Sequence, residues 1–235
     1  MSRKAGDVYV VTVDIKGSRK LANRDKVQSR TKQLLHRLNS LYSEVLLAPF
    51  EFTLGDEFQG VFKTQSIEVA WDIFKLLKKR LGVPFYYGVG VGGINTPRGL
   101  SHLRMRPTEM DGKAFHASRH AVLTAKTMRV EFVIEPESHE SFVEVNTLVE
   151  LMLYVANNWT PMQRRVISIL EVSPDMKYTM VAKHLRVTKQ AISNILSRSG
   201  WAEFRDAEIL LRALLVRSVG GQPRDVYSVR STRWD

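Results

Sequence analysis

The chain has 235 residues, 44% hydrophobic and 25% charged, enough to build a core in one large domain or two small ones. The absence of cysteine excludes disulfides and thiolate metal sites, and no apolar run approaches the ~18 residues that a membrane span requires. With no signal-peptide pattern, a cytoplasmic location without membrane partners is expected; the net charge of +11 points to a polyanion, nucleic acid or nucleotide phosphate.

In chain order, Tyr9 to Ile15 is a nearly continuous apolar run, the pattern of a central strand covered on both faces. It ends in Asp14-Ile15-Lys16-Gly17-Ser18-Arg19. A carboxylate closes the strand, and Lys16, Gly17, Ser18 and Arg19 then offer backbone N–H groups, a hydroxyl and two cations to a phosphate. Leu21 to Leu47 predicts a long helix, with Val27, Leu34, Leu38, Leu41, Tyr42 and Val45 at helical spacing. Pro49 to Leu54 and Glu57 to Phe62 then alternate apolar and polar residues around Gly55-Asp56. That dipeptide signals a hairpin, because a primed turn needs positive φ and both residues tolerate it. The hairpin thus carries Asp56 at its tip with Glu57 beside it. Asp14 and Asp56, at the ends of neighbouring strands, supply the hard oxygen ligands of a Mg2+ (or Mn2+) site with room for water and phosphate.

Ser66 is expected to cap a helix with Ile67, Ala70, Trp71, Phe74 and Leu77 inside, stopped by Gly82. Pro84 to Thr96 reads as a strand laced with glycine. Its Gly88-Val89-Gly90-Val91-Gly92-Gly93 has the letters of a dinucleotide fingerprint, but no helix opens on the last glycine. The alternation instead strips one strand face, so that a helix or a nucleotide base can approach the backbone, with a helix the favoured cause. Gly112 to Met128 predicts a third helix and Arg129 to Ile134 a closing strand. His116 and His120 stand i, i+4 without a third ligand and read as ordinary histidines. The order β-α-β-β-α-β, extended by α-β, is that of an α+β, ferredoxin-like domain over residues 1–140.

Beyond Glu135-Pro136-Glu137-Ser138 the pattern is helical only: Asn146 to Trp159, Pro161 to Glu171, Thr179 to Leu185, Lys189 to Ser199 and Ala202 to Val216. Residues 146–218 form the expected second domain, and 219–235 a basic tail. Thr160-Pro161-Met162-Gln163 is a capping box with proline at the first helical position. Thr179 to Leu196 fits a helix-turn-helix, with Val181, Ala182, Leu185, Ile192, Ile195 and Leu196 inside and Val187 in the turn. Thr188, Lys189, Gln190, Ser193, Asn194 and Arg198 are then the expected DNA-contacting residues. One such module makes few base contacts, so a homodimer is expected; Leu148, Leu151, Met152 and Val155 form either a dimer stripe or an inter-domain strut.

Asp14-Ile15-x-Gly17 followed by a hairpin bearing Gly55-Asp56-Glu57-Phe58 resembles the palm-like catalytic domain of class III nucleotide cyclases and GGDEF diguanylate cyclases. That resemblance implies two Mg2+ ions on a nucleoside triphosphate, held by Asp14, the Ile15 carbonyl and Asp56. Gly112 to Arg119 resembles the cyclase helix that carries a phosphate-stabilising arginine, here Arg119, with Phe115 where those enzymes have asparagine. Over nearly its whole length the chain also resembles the SatD family, through Asp-Ile-x-Gly-Ser-Arg, Gly-Asp-Glu-Phe-Gln, Gly-x-Gly-x-Gly and the helix-turn-helix end. The expected function is a DNA-binding regulator whose first domain senses a nucleotide with Mg2+. The alternatives are a nucleotidyl cyclase-like enzyme or a scaffold in which both acids are structural.

Overall fold

The computed structural model describes residues 7–18, 23–95, 105–137 and 142–222. Along the chain run β1 (Asp7–Ile15), α1 (Arg24–Leu41), β2 (Leu46–Leu54), β3 (Glu57–Lys63), α2 (Val69–Arg80), β4 (Phe85–Gly93), α3 (Lys113–Met128) and β5 (Phe132–Pro136). Helices α4 (Val143–Asn157), α5 (Pro161–Val172), α6 (Tyr178–Leu185), α7 (Lys189–Ser199) and α8 (Trp201–Ser218) follow. The strands form one mixed sheet in the order β2-β3-β1-β4-β5, antiparallel throughout except between β4 and β5. The architecture is α+β. The chain divides into two compact units, Met1–Asn146 with Arg212–Asp235, and Thr147–Leu211.

In the first unit, β1 is central and its Tyr9, Val10, Val11 and Val13 are fully buried. On one sheet face Tyr9 stacks on Phe62, and Trp71 and Phe74 of α2 pack against Phe132; Phe74 also meets Phe85 and Tyr87. On the other face Val8, Val10 and Val61 meet Ala114 and Phe115 of α3. The glycine alternation of β4 exists for this helix. A Cβ on Gly90 would lie 2.2 Å from both the Ala114 carbonyl oxygen and the Ser118 nitrogen, and one on Gly88 2.5 Å from the Ser118 carbonyl oxygen. Only bare backbone lets α3 lie this close.

An asparagine amide clamps each edge strand. Asn39 accepts from Phe50 N–H (2.6 Å) and donates to its carbonyl (3.0 Å) on β2, and Asn146 does the same for Ile134 of β5 (2.9 and 3.0 Å). At those residues the edge is closed to a further strand.

Several expected boundaries move. The first helix ends at Leu41, not Leu47, because Leu46, Ala48 and Phe50 alternate inward as the start of β2. Ser66 belongs to a 3-10 turn and donates to the Lys63 carbonyl, so α2 begins only at Val69. Arg129 takes φ 59° and ends α3, which delays β5 to Phe132. In the hairpin turn Gly55 takes φ 62° while Asp56 stays negative, the pattern of a II′ turn.

In the second unit, Thr160 and Gln163 form the capping box and Val166, Ile167 and Leu170 of α5 are buried. Trp159 donates to the Ser199 carbonyl at 2.7 Å and packs with Trp201 and Phe204. On α4 Val149, Met152 and Leu153 are buried, while Leu151, one of the residues expected on a dimer stripe or strut, is exposed with Tyr154. No helix among the described residues is long and apolar enough to cross a membrane.

Candidate functional site

Antiparallel pairing sets Asp14 directly across from Glu57 of β3 on one side and from Tyr86 of β4 on the other. Asp56 precedes Glu57 in the turn. Ladder and backbone geometry alone therefore keep the Asp14 and Asp56 Cα atoms within about 10 Å of each other, at one end of the sheet. Ile15, buried, is the last residue of β1. Gly17 takes φ 62° in the turn that follows, where it is exposed and Lys16 and Ser18 are half-buried. Arg19 lies outside the described residues.

Each acid faces a cation that sequence reading did not assign to it. Asp14 Oδ2 lies 3.0 Å from Nζ of Lys126, in the last turn of α3, and Asp56 Oδ2 lies 3.5 Å from a guanidinium nitrogen of Arg24, the first residue of α1. Lys16 Nζ sits 4.0 Å from the centre of the Tyr86 ring, and Lys126 Nζ lies 6.0 Å from the same centre. Burial pulls the Lys16 ammonium below its usual pKa; Glu131 opposes that shift and Lys78 adds to it. The signal for Lys126 was present. It follows Ser118 and Val122 at four-residue steps, on the α3 face that packs toward the sheet.

Glu57 is oriented by donors from two sides, Thr53 Oγ1 at 2.8 Å and Gln59 Nε2 at 3.3 Å. The same Gln59 amide, fully buried, donates to Thr12 Oγ1 at 3.0 Å. Thr12 meets the Ser118 hydroxyl at 2.8 Å, and Ser118 donates to the Phe115 carbonyl at 3.0 Å. A polar chain thus runs from the hairpin along the sheet face that α3 covers to Ser118. Gln59 Oε1, buried, has no partner among the described residues. Next to Ser118, Arg119 is exposed. Phe115 is fully buried in the apolar cluster with Val8, Val10 and Val61.

The donors suit a hard divalent cation. Among the described residues no three His, Cys, Asp or Glu side chains converge. An all-protein cage is therefore not what these residues offer; an ion here would need water or phosphate oxygens for most of its shell. The two histidines are exposed: His120 pairs with Glu135 and His116 lies 3.5 Å from Asp111.

In the second unit Thr188, Lys189, Gln190, Ser193, Asn194 and Arg198 are all exposed. Three of them are accounted for within the helix: Thr188 Oγ1 accepts from Ala191 N–H as the cap of α7, and Gln190 donates to Asn194 at 3.2 Å, one turn on. The family model described as SatD family matches residues 9–206. No curated protein matches the chain. Among solved structures, a bacterial light-regulated adenylyl cyclase is 19% identical with a TM-score of 0.42, covering 55% of this chain and 75% of that one. A second structure of a bacterial light-regulated adenylyl cyclase is 16% identical with a TM-score of 0.40, covering 57% and 44%. The guanylyl cyclase Cya2 is 11% identical with a TM-score of 0.32, covering 53% and 73%. These neighbours are named as cyclases, and neither they nor the family model supports DNA binding or transcription regulation. The expectation of a DNA-binding helix-turn-helix regulator is corrected accordingly, and for the six residues of α7 and its cap the structure shows exposure to solvent.

Proposed function

The chain belongs to the SatD family, and we propose that its first unit binds a nucleoside triphosphate with a divalent cation and catalyses nucleotidyl cyclase-like phosphoryl transfer. The observation that carries this reading is the register that faces Asp14 with Glu57 beside Asp56, at the end of the central strand. We read the element order β1-α1-β2-β3-α2-β4 with neighbours β2-β3-β1-β4 as the ferredoxin-like palm, which presents such acids at one sheet end.

In this reading Asp14, Asp56 and the Ile15 carbonyl hold Mg2+ or Mn2+, which when bound neutralises phosphate charge. Lys16, Gly17, Ser18 and Arg19 receive the phosphates, and Arg119, exposed on α3, stabilises charge on the transferring group. The ribose hydroxyl oxygen attacks the α-phosphorus, the bond to the β-phosphate oxygen breaks, pyrophosphate leaves with the electron pair, and the hydroxyl proton passes to a base or to solvent. Glu57, fixed by Thr53 and Gln59, is the acid placed beside these ligands.

The experiment is incubation with each of the four common nucleoside triphosphates and Mg2+ or Mn2+, following pyrophosphate and a cyclic or linked nucleotide. Product is expected from at least one of them, and Asp14→Asn and Asp56→Ala should each lower its rate by about 100-fold or more. Absence of product with all four, or full activity in both variants, refutes the reading.

A further inference from the structure

We infer that Lys126 is a built-in competitor for the divalent cation, neutralising Asp14 in the metal-free chain and holding metal affinity low until it is displaced. The inference rests on the metal-binding reading of Asp14 and goes beyond it to a residue 112 positions away.

Three observations carry it. Lys126 Nζ lies 3.0 Å from Asp14 Oδ2, within contact of an oxygen that a metal would need. The pair is partly sheltered, with the Asp14 side chain 27% and Lys126 41% exposed, so it is screened less than a fully exposed pair. The neighbouring seat is also taken: the Tyr86 ring, opposite Asp14 in the ladder, already carries the Lys16 ammonium at 4.0 Å. Lys126 Nζ is itself 6.0 Å from that ring's centre, the far limit of such a contact, and gains little by moving closer against a like charge. Asp14 is therefore what holds Lys126 in place, and a divalent ion arriving at Asp14 has to break that pair and turn the ammonium outward. Lys126 has the length and exposure to swing into solvent without moving α3.

The test is Mn2+ binding without nucleotide, read from the free-ion electron paramagnetic resonance signal, on the full chain. Lys126→Gln should bind Mn2+ roughly two- to fivefold more tightly than the unmodified chain, the range that a partly exposed ion pair accounts for. Lys126→Arg, which keeps the charge, should stay near the unmodified value. Lys16→Gln, which removes an equal charge nearby but no contact with Asp14, should give a smaller gain than Lys126→Gln. Asp14→Asn should abolish the binding, with circular dichroism confirming that it folds. If Lys126→Gln binds no better, or Lys16→Gln gains as much, while Asp14→Asn still abolishes binding, the competition is refuted and the metal reading stands. If Mn2+ fails to bind, or binds equally well in Asp14→Asn, the metal reading itself falls and the competition with it.

Discussion

Tyr9 and Tyr87 show how one buried hydroxyl couples the core to pH. Both are fully buried; Tyr9 donates to the Ser66 carbonyl at 3.0 Å and Tyr87 to the Ala70 carbonyl at 2.7 Å. Burial pushes both phenols well above their usual pKa, outweighing the opposing hydrogen bond at Tyr9. The folded state therefore keeps protons that the unfolded chain releases above about pH 10. The stability these groups confer is fully present below that value and is lost as pH rises from it toward their folded pKa. Urea titrations between about pH 8 and 11 should show midpoints falling less steeply for Tyr9→Phe and Tyr87→Phe than for the unmodified chain, at a cost near neutrality of about 1 kcal/mol each. A limb of unchanged steepness in both variants would mean that the phenols do not drive alkaline unfolding. At this scale the sequence displayed the acids but not their company. Asp14 and Asp56 were legible because each ends a strand pattern. Arg24 and Tyr86 were not, and the four-residue steps from Ser118 put Lys126 on the sheet-facing side of α3 without naming its partner. Partners depend on a sheet register and a helix rotation that no local spacing states.

Among elements, the β4–α3 contact is the tightest test of why this strand alternates glycine with valine. The sequence favoured a helix as what approaches the strand closely; the structure shows that it is α3, reaching backbone to backbone at Gly90. Alanine at Gly90 would place its methyl 2.2 Å from atoms that cannot rotate away, so α3 must shift or the strand must bend. We expect Gly90→Ala to destabilise the first unit by about 1–3 kcal/mol or more, the range for overpacking a dense core. Gly55→Ala is the instructive contrast: nothing lies within 4 Å of the added methyl, and the cost is only that of φ 62° in an L-residue, about 1–2 kcal/mol. Chemical denaturation of both variants decides it, and a smaller loss at Gly90 than at Gly55 would contradict the contact. Element types were legible wherever hydrophobic period was unambiguous, as in β1 and α7. The end of α1 was not: Tyr42 and Val45 continue the helical spacing while Leu46, Ala48 and Phe50 begin strand alternation, and tertiary pairing with β3 chose between them.

For the molecule as a whole, chain order and compact units differ. The sequence changes from mixed to purely helical near residue 140, yet the first unit also draws on Arg212 and the residues after it. Arg212 grips the Asp72 carboxylate of α2 with two hydrogen bonds, 3.1 and 2.5 Å, and Leu215 one turn on is fully buried. Asn146, which clamps both backbone groups of Ile134, lies past the point where the pattern changes. A fragment ending at residue 140 therefore loses an edge clamp, the Asp72 partner and the segment carrying Leu215 together. In the full chain, Arg212→Met should cost about 0.5–1.5 kcal/mol, since the pair is bidentate but a third exposed, and Leu215→Ala about 2–5 kcal/mol. Arg217→Met, at an exposed position of the same helix, should stay within about 0.5 kcal/mol. The fragment 1–140 should then unfold at markedly lower urea than the sheet does in the intact chain, followed in both by hydrogen exchange of the β1 and β4 amides. If the fragment matched the intact chain, the last turns of α8 would contribute nothing to the sheet unit, and the domain boundary would lie where the sequence pattern changes.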